Sequence, residues 1–517
     1  MNLSNKLILA VALLCGCGAS TLSAKTVVYP GPDGEPRSEK YTVTVAGQDV
    51  FGYTGRAYTA KNFTGRFCGL PTTPVTFGYF DTDEEVEVSV RVAGVDVKSA
   101  TVRPLSRGIK ATVVDGEIRF KVREQCQLTI EPNGITDHVL HLFVNGLETE
   151  VPDPNDENVL YFPPGIHEVE TIDLKDNQTL YIAGGAVVYS VVGENETKIR
   201  DEHRRAPRLG PIVLERYDHS IKVHDAKNVK ILGRGIFCQG RLDQHPDDPK
   251  RFSRKSPIHV ARSKDVVIDG IILRDATCWN VSLYRSQNLL VNNIKEISAG
   301  YNSDGINTIS SQDVVIRGCF MRQRDDAVVI KAMDSGNLDL FLADPESLKE
   351  LPGGEVRNVL VENCTIWSDW GYSFGVTYEI RKPVSDVVFR NNDVVHATTT
   401  KQGVLGVLVS DQETVSNVLF EDIRVERSLK PLISLDIFQT KWSVSDVMGS
   451  IRNVVFRDIT LVEHDQMVTV NNQAGPEDGS VISHIVFDNV VLNGKKLTEG
   501  DARINYVSGE IVNPVFK

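Results

Sequence analysis

Asp265-Val266-Val267-Ile268, Asn288-Leu289-Leu290-Val291 and Asp313-Val314-Val315-Ile316 are copies of one pattern, a turn-forming Asn or Asp followed by an aliphatic triplet. The pattern occurs upstream at Asn228-Val229-Lys230-Ile231. It continues downstream at Asn358-Val359-Leu360-Val361, Asp386-Val387-Val388-Phe389, Asn417-Val418-Leu419-Phe420, Asn453-Val454-Val455-Phe456 and His484-Ile485-Val486-Phe487. Successive copies lie 23 to 45 residues apart. Self-similarity on this scale marks a solenoid. The runs are short, rich in β-branched residues and bounded by Asn, Asp and Gly, so they are strands. No amphipathic stretch of about 12 residues separates them, which excludes a βαβ layout. The expected fold is all-β: a right-handed parallel β-helix with about three short strands per coil. Long steps mark coils that carry loops, such as Met333 to Glu355 with its Pro352-Gly353-Gly354 break.

Working outward, the β-helix is expected over 155–517, opening near Val159-Leu160-Tyr161-Phe162-Pro163-Pro164-Gly165. The Pro/Asp-rich stretch Val151-Pro152-Asp153-Pro154-Asn155-Asp156 before it reads as a linker. Residues 25–150 have a different rhythm. Tyr41 to Val45, Val86 to Val92 and Ile118 to Val122 alternate apolar and polar residues with period two, and turns such as Val114-Asp115-Gly116 separate such runs. That pattern predicts a small antiparallel β-sandwich.

Residues 1–24 read as an export signal, with Lys6 before the apolar run Leu7 to Leu14, too short to span a bilayer. Two exits remain open. Leu14-Cys15-Gly16-Cys17 looks like a bacterial lipoprotein box that would lipidate Cys17, and Leu22-Ser23-Ala24 looks like a cleavage site before Lys25. No later run reaches the roughly 20 apolar residues of a membrane-spanning helix. The expected location is therefore outside the cytoplasm: periplasmic, lipid-tethered at the outer membrane, or secreted. The chain has 517 residues, 41% hydrophobic and 24% charged, with a net charge of −13. That charge argues against nucleic acid or an anionic membrane as partner. Six of the eight cysteines lie beyond the signal and none has Cys-x-x-Cys spacing, so no zinc site is expected. Cys68 and Cys126 both fall in the N-terminal region and could pair in an oxidising compartment. Cys238, Cys278, Cys319 and Cys364 fall one per segment and read as buried thiols.

The chemistry concentrates at Asn302-Ser303-Asp304-Gly305 and Asp325-Asp326. Asp304 and Asp325 are 21 residues apart, about one coil, so the coil stacks three carboxylates in one patch. Acids so close cannot all ionise cheaply, and at least one should hold its proton near neutral pH. A protonated acid beside an ionised one suffices for acid/base cleavage of a glycosidic bond. The alternative is turn-forming aspartates, the natural reading of Asp269-Gly270. It fits Asp325-Asp326 poorly, because the apolar run Ala327 to Ile330 follows directly and a turn there needs no second acid. Alternate strand residues face opposite sides, so both acids can face one site only at a bend.

Asn302-Ser303-Asp304-Gly305 resembles the Asn-Thr-Asp-Gly motif of glycoside hydrolase family 28, the polygalacturonase family. Asp325-Asp326 falls at the position and spacing of its Asp-Asp pair. The resemblance covers about residues 155–500. A β-sandwich joined to a β-helix resembles the related glycoside hydrolase family 49, the dextranases and isopullulanases. The resemblance implies an inverting hydrolase that uses three aspartates and neither metal nor cofactor. Asp325 would be the general acid, and Asp304 and Asp326 would hold and activate the attacking water. The chain departs from family 28 on two coils. Tyr372, in Gly371-Tyr372-Ser373, stands where the family has the His of Gly-His-Gly. Gly403-Val404-Leu405-Gly406-Val407-Leu408-Val409-Ser410-Asp411 carries no basic residue where Arg-x-Lys would grip a galacturonate carboxylate, which needs charge-assisted partners. Arg322, Arg324, Lys331 and Arg381 are the cations near enough to serve a rearranged site.

Asn302, Lys331, Trp370, Tyr372, Tyr378 and Arg381 are accordingly the expected substrate-binding residues. Trp279 and Trp367 share the aromatic character that stacks on sugars, or equally packs between coils. His245 and His259 receive no role. The leading expectation is an exported inverting hydrolase of an α-linked polysaccharide or oligosaccharide, neutral in charge (dextran-like or galactan-like), with a pectic substrate as the alternative. Two other classes stay open: a polysaccharide lyase, which needs a uronate and a Lys or Arg base, and a non-catalytic glycan-binding solenoid, since fold does not dictate function.

Overall fold

The computed structural model describes residues 25–58, 72–203, 212–242, 255–300, 302–333, 354–398, 402–463, 467–474 and 479–517. The export signal with Cys17, the Cys68 half of the proposed disulfide, His245 and the body of the loop between Met333 and Glu355 lie outside the described residues. Among the described residues no helix is long and apolar enough to cross a membrane, and the helical piece present is a single 3-10 turn, Leu105–Arg107.

All nine aliphatic triplets fall into one parallel ladder. Val229, Val266, Leu289, Val314, Val359, Val387, Val418, Val454 and Ile485 are paired in succession. These strands form the first face of a right-handed parallel β-helix running from Val159 to Phe516. A second face is formed by strands such as Ile272–Arg274, Lys295–Ile297, Phe320–Gln323 and Thr365–Ser368. A third face of 11 strands includes Ile258–Ala261, Val281–Tyr284, Ile306–Ile309, Val328–Ala332, Phe374–Ile380 and Leu405–Val409. The inward residues of the three faces make one continuous aliphatic core, with Phe389, Phe420, Phe456 and Phe487 stacked coil on coil. From Val384 onward the first and second strands fuse into single arms such as Val384–Ala397 and Val415–Arg427.

The N-terminal region is a sandwich of a six-stranded and a five-stranded sheet. Its pairings are antiparallel except that Leu140–Asn145 runs parallel to Thr72–Thr82. Period-two burial of Val86–Val92 puts Val88 and Val90 against Leu128, Ile130 and Leu142 of the facing sheet. Cys126 is buried in this core, and Cys238, Cys278, Cys319 and Cys364 are buried as the sequence implied.

The sandwich lies along the second face. Tyr53, Phe77, Tyr79 and Phe143 pack on Ile272, Ile297, Phe320 and Trp367. Polar pairs cross the same interface: Arg274 with Glu35 at 2.6 Å, Arg234 with Asp81 at 3.1 Å, and Lys295 with the Asn145 amide oxygen at 2.6 Å. Removing one partner of such a buried pair strands the other, so the contact holds the two units in one arrangement. The corner between the second and third faces is thereby fixed, and the acids sit there.

Candidate active site

Four successive coils turn the same corner, and their backbones bond in a ladder. The Asn280 N–H donates to the Asp304 carbonyl (2.8 Å), Gly305 N–H to the Asp326 carbonyl (2.8 Å), and Ala327 N–H to the Tyr372 carbonyl (2.7 Å). Asp304 and Asp326 therefore occupy equivalent positions one coil apart. Asp325 precedes Asp326 at a bend outside the flanking strands Phe320–Gln323 and Val328–Ala332, so the two acids are not forced to opposite faces.

Asp304 and Asp326 are each 3% exposed, whereas Asp325 is half-buried. Burial pushes the Asp304 carboxyl well above its ordinary value, reinforced by the negative charge of Asp325 and opposed by Lys331. Burial and then Asp325 raise Asp326 to about 7. Burial also raises Asp325, with Lys331 and Arg324 pulling it back. The patch thus carries protons near neutral pH, because stripping all three would leave like charges in a poorly solvated corner.

Hydrogen bonds orient the acids. Asn302 Nδ2 donates to Asp325 Oδ2 at 3.4 Å, and the Tyr372 N–H donates to Asp326 Oδ1 at 2.8 Å. Gly371 is required here: a Cβ would collide with the amide nitrogen and Oδ1 of Asp326. Lys331 Nζ lies 3.7 Å from both Asp304 Oδ2 and Glu379 Oε2, and 4.4 Å from the centre of the half-buried Trp279 ring. Burial opposes the Lys331 charge, but Glu379 and the three aspartates outweigh it and raise its pKa.

The third face is irregular at this point. Ile330 pairs with Val376 and Ala332 with Ile380, so Thr377, Tyr378 and Glu379 stand opposite Lys331 alone. Tyr378 adopts φ 65°, a left-handed conformation costly for an aromatic residue. This bulge delivers Glu379 to Lys331 and lets Tyr378 lie edge-on to Tyr372, 6.3 Å between ring centres, with its hydroxyl bonded to Gln402. Bulges that re-aim side chains are common beside active sites.

The sequence profile of glycosyl hydrolases family 28 matches residues 213–510, which include every residue of the patch. The chain belongs to glycosyl hydrolases family 28. A probable polygalacturonase of Vitis vinifera is 25% identical over 179 residues, 34% of this chain and 36% of that protein, so the chain spans about a third of this curated relative's length. Among solved structures, an exopolygalacturonase of Thermotoga maritima shares 18% identity over 69% of this chain and 84% of its own, with a TM-score of 0.51. Dex49A from Penicillium minioluteum shares 14% identity over 95% of this chain and 96% of its own, with a TM-score of 0.53. At these identities the structural likeness concerns the fold.

Against the family-28 frame, the expected binding residues divide. Asn302, Lys331, Tyr372 and Tyr378 surround the acids, although Tyr372 is only 1% exposed and its ring lies across Gly406. Trp370 and Arg381 are placed elsewhere. Trp370 is 5% exposed and packs edge-on against Tyr58 of the sandwich. Arg381 is 1% exposed, 3.7 Å from Asp411 and bonded to the Trp442 carbonyl. Arg322 is likewise 3.5 Å from Asp369, bonded to His141 and stacked on Trp367 in the sandwich interface. Sequence alone showed these residue types near the acids but not the side of the coil that each would occupy.

Glu379, Gln402 and Lys430 were not anticipated. Glu379 carried one signal, its position in Tyr378-Glu379-Ile380-Arg381 after a Gly-rich corner; Lys430 carried none, since a lysine at a turn ordinarily reads as solvated. His219, His224 and His259 also cluster, with ring atoms within 4.8 Å of one another. The His219 and His259 rings stack face to face at 3.9 Å, and His224 bonds His259 at 2.9 Å. Lone pairs in stacked parallel rings do not converge on one ion, so this arrangement is a packed set of imidazoles that burial keeps neutral.

Proposed function

We propose that the protein is an exported, inverting glycoside hydrolase whose substrate is a neutral α-linked polysaccharide or oligosaccharide. The observation that carries the neutral assignment is the state of three of the four candidate cations. Lys331 is paired with Asp304 and Glu379, Arg322 with Asp369, and Arg381 with Asp411. The corner that would supply Arg-x-Lys presents Leu405, Gly406 and Val407, with Tyr372 over Gly406. A uronate bound there would lose charge-assisted bonds and still bear the cost of desolvation.

In the proposed reaction Asp325, the most exposed of the three acids, gives its proton to the glycosidic oxygen as the bond to the anomeric carbon breaks. Asp304 and Asp326 hold a water on the opposite face. Its oxygen bonds to the anomeric carbon, and its proton passes to one of these carboxylates. Inversion follows from attack opposite the leaving group. Trp279, half-buried beside Lys331, offers an apolar face for a sugar ring. A pectic substrate is the second reading, favoured by the polygalacturonase named among the relatives.

The test sets polygalacturonic acid beside dextran, pullulan and α-galactan under one reducing-end assay, with proton NMR of the first product. The neutral polymer of matching linkage should be cleaved at least ~10-fold faster, the equivalent of about 1.4 kcal/mol. The first anomer formed should be inverted. Efficient cleavage of polygalacturonic acid alone would reverse the substrate assignment. A product absorbing in the near ultraviolet would assign a lyase.

A further inference from the structure

Lys430 lies in the turn before the third-face strand Ile433–Ile437, two coils beyond Gly371. It is fully buried. Its Nζ donates to Ser368 Oγ at 2.7 Å and to the Gly371 carbonyl oxygen. Ser368 Oγ donates to the same carbonyl at 2.8 Å. The ammonium therefore caps the inner side of the turn Ser368-Asp369-Trp370-Gly371-Tyr372. That turn is pinned elsewhere too: Asp369 faces Arg322 at 3.5 Å, and Trp370 packs on Tyr58. Its working end is the Tyr372 N–H, which donates to Asp326 Oδ1, with Gly371 in direct contact with the Asp325-Asp326 backbone. A buried lysine is costly unless it does something that an apolar residue cannot. Here it bonds the carbonyl of the peptide whose N–H orients a carboxylate of the patch.

We infer that Lys430 is a positioning residue: it holds the Ser368–Tyr372 turn against Asp326, and so fixes the carboxylate that orients the attacking water. The inference rests on the hydrolytic reading for its consequence in rate, but not for its consequence in structure. Electrostatics agree with the geometry. Asp304, Asp325, Lys331, Tyr372, Tyr378 and Lys430 all face Asp326, and the Lys430 charge is among those that lower its pKa. Burial in turn brings Lys430 down to about 7, with Asp326 the foremost of the acids opposing that shift.

The decisive variant is Lys430→Met, which keeps the stem and removes the ammonium; an apolar residue of similar volume is generally tolerated at such a site. Two readouts separate the inference from the hydrolytic reading. Hydrogen exchange of the Tyr372 amide should quicken at least about tenfold in Lys430→Met while the first-face strands keep their protection, whatever the substrate proves to be. On whichever polymer the wild type cleaves, kcat should fall about 10- to 100-fold with KM within about twofold, since a misplacement of about 1 Å at the chemistry costs up to about 100-fold. The acid limb of the pH profile should move to higher pH, because removing the positive charge raises Asp326. Ser368→Ala, which removes one of the two acceptors but keeps the ammonium, should quicken Tyr372 exchange and lower kcat by less, with the acid limb left in place, and serves if Lys430→Met fails to fold. Unchanged Tyr372 exchange with an unchanged acid limb in Lys430→Met would overturn the inference, as would unchanged Tyr372 exchange in Ser368→Ala where Lys430→Met does not fold. A wild type inactive on every polymer, with quickened Tyr372 exchange in Lys430→Met, would overturn the hydrolytic reading and leave the positioning role standing.

Discussion

Two corners of one solenoid carry acidic and amide side chains, and they differ in almost every physical respect. At the corner entering the first face stand Asn228, Asp265, Asn288, Asp313, Asn358, Asp386, Asn417, Asn453 and His484, all with φ between 55° and 57°. Asn and Asp tolerate the left-handed region because their short polar groups bond locally. Here those groups bond from coil to coil, as Asn358 Nδ2 does to Asp313 Oδ1 at 2.9 Å. At the corner leaving the second face stand Asp304, Asp325 and Asp326. None of the three has positive φ, two are almost wholly buried, and one Asp304 oxygen has no hydrogen-bond partner. Nothing about turning the chain requires them. Aspartates in the first row form the turn; aspartates in the second are the candidates for reactivity.

The largest expected effect breaks the comparison directly. Asp325→Asn should lower kcat by ~10²–10⁴-fold with the fold intact, since the amide has the size of the acid but no proton to give. Asp313→Asn, an aspartate of the first row, should leave kcat within about twofold: its amide oxygen still accepts from Asn358 Nδ2, and Gln287 has only to turn its own amide to accept from the new NH2. Michaelis kinetics of the two variants, with circular dichroism to confirm folding, decide it. Near-wild-type turnover in Asp325→Asn would remove the general-acid assignment.

A smaller effect sharpens the comparison through pH. Asp326 is raised from 3.8 to about 7 in the folded protein. Below pH 4 both folded and unfolded chains hold this proton, and the stabilising contribution of the neutral group is complete. As pH rises to about 7 the unfolded chain releases its proton while the folded one retains it, and that contribution is lost. Asp326→Asn removes the titration. The melting temperature of Asp326→Asn minus that of wild type should therefore increase between pH 4 and pH 8.

The two corners were not equally legible in the sequence. The first is written nine times, so its turns, triplets and register could be read from the repeat alone. The second is written once, and the Asp304 and Asp325-Asp326 spacing became specific only through its likeness to a family motif. The residues that support it were less legible still. Lys331 could be named because it lies on the strand that directly follows Asp325-Asp326. The Tyr378 bulge could not, since nothing local announces three residues opposing one. Lys430 is more than 100 residues from Asp325 and reaches it only because the solenoid folds coil upon coil. Trp370, Arg322 and Arg381 point into packing or into Asp369 and Asp411, because a coil has an inside, an outside and a sandwich-facing side, and residue type does not say which.

The smallest effect tests whether the first corner is held by backbone conformation or by its amide ladder. Asn358 is exposed, with φ 55°. In Asn358→Ala the coil-to-coil bond to Asp313 is lost and a β-carbon without compensating hydrogen bonds occupies the left-handed region, at about 1–2 kcal/mol. In Asn358→Gly the bond is lost equally, but glycine takes that conformation without steric cost. If backbone conformation dominates, the glycine variant should melt near wild type and the alanine variant should fall clearly below it. If the ladder dominates, the two should fall together, each by about 0.5–1.5 kcal/mol for one hydrogen bond. We expect the first outcome. The amide is solvated and its bond competes with water, whereas the left-handed corner is imposed by the strands on either side. In both variants kcat should be unchanged, since the first row shapes the coil and takes no part in what happens at the second.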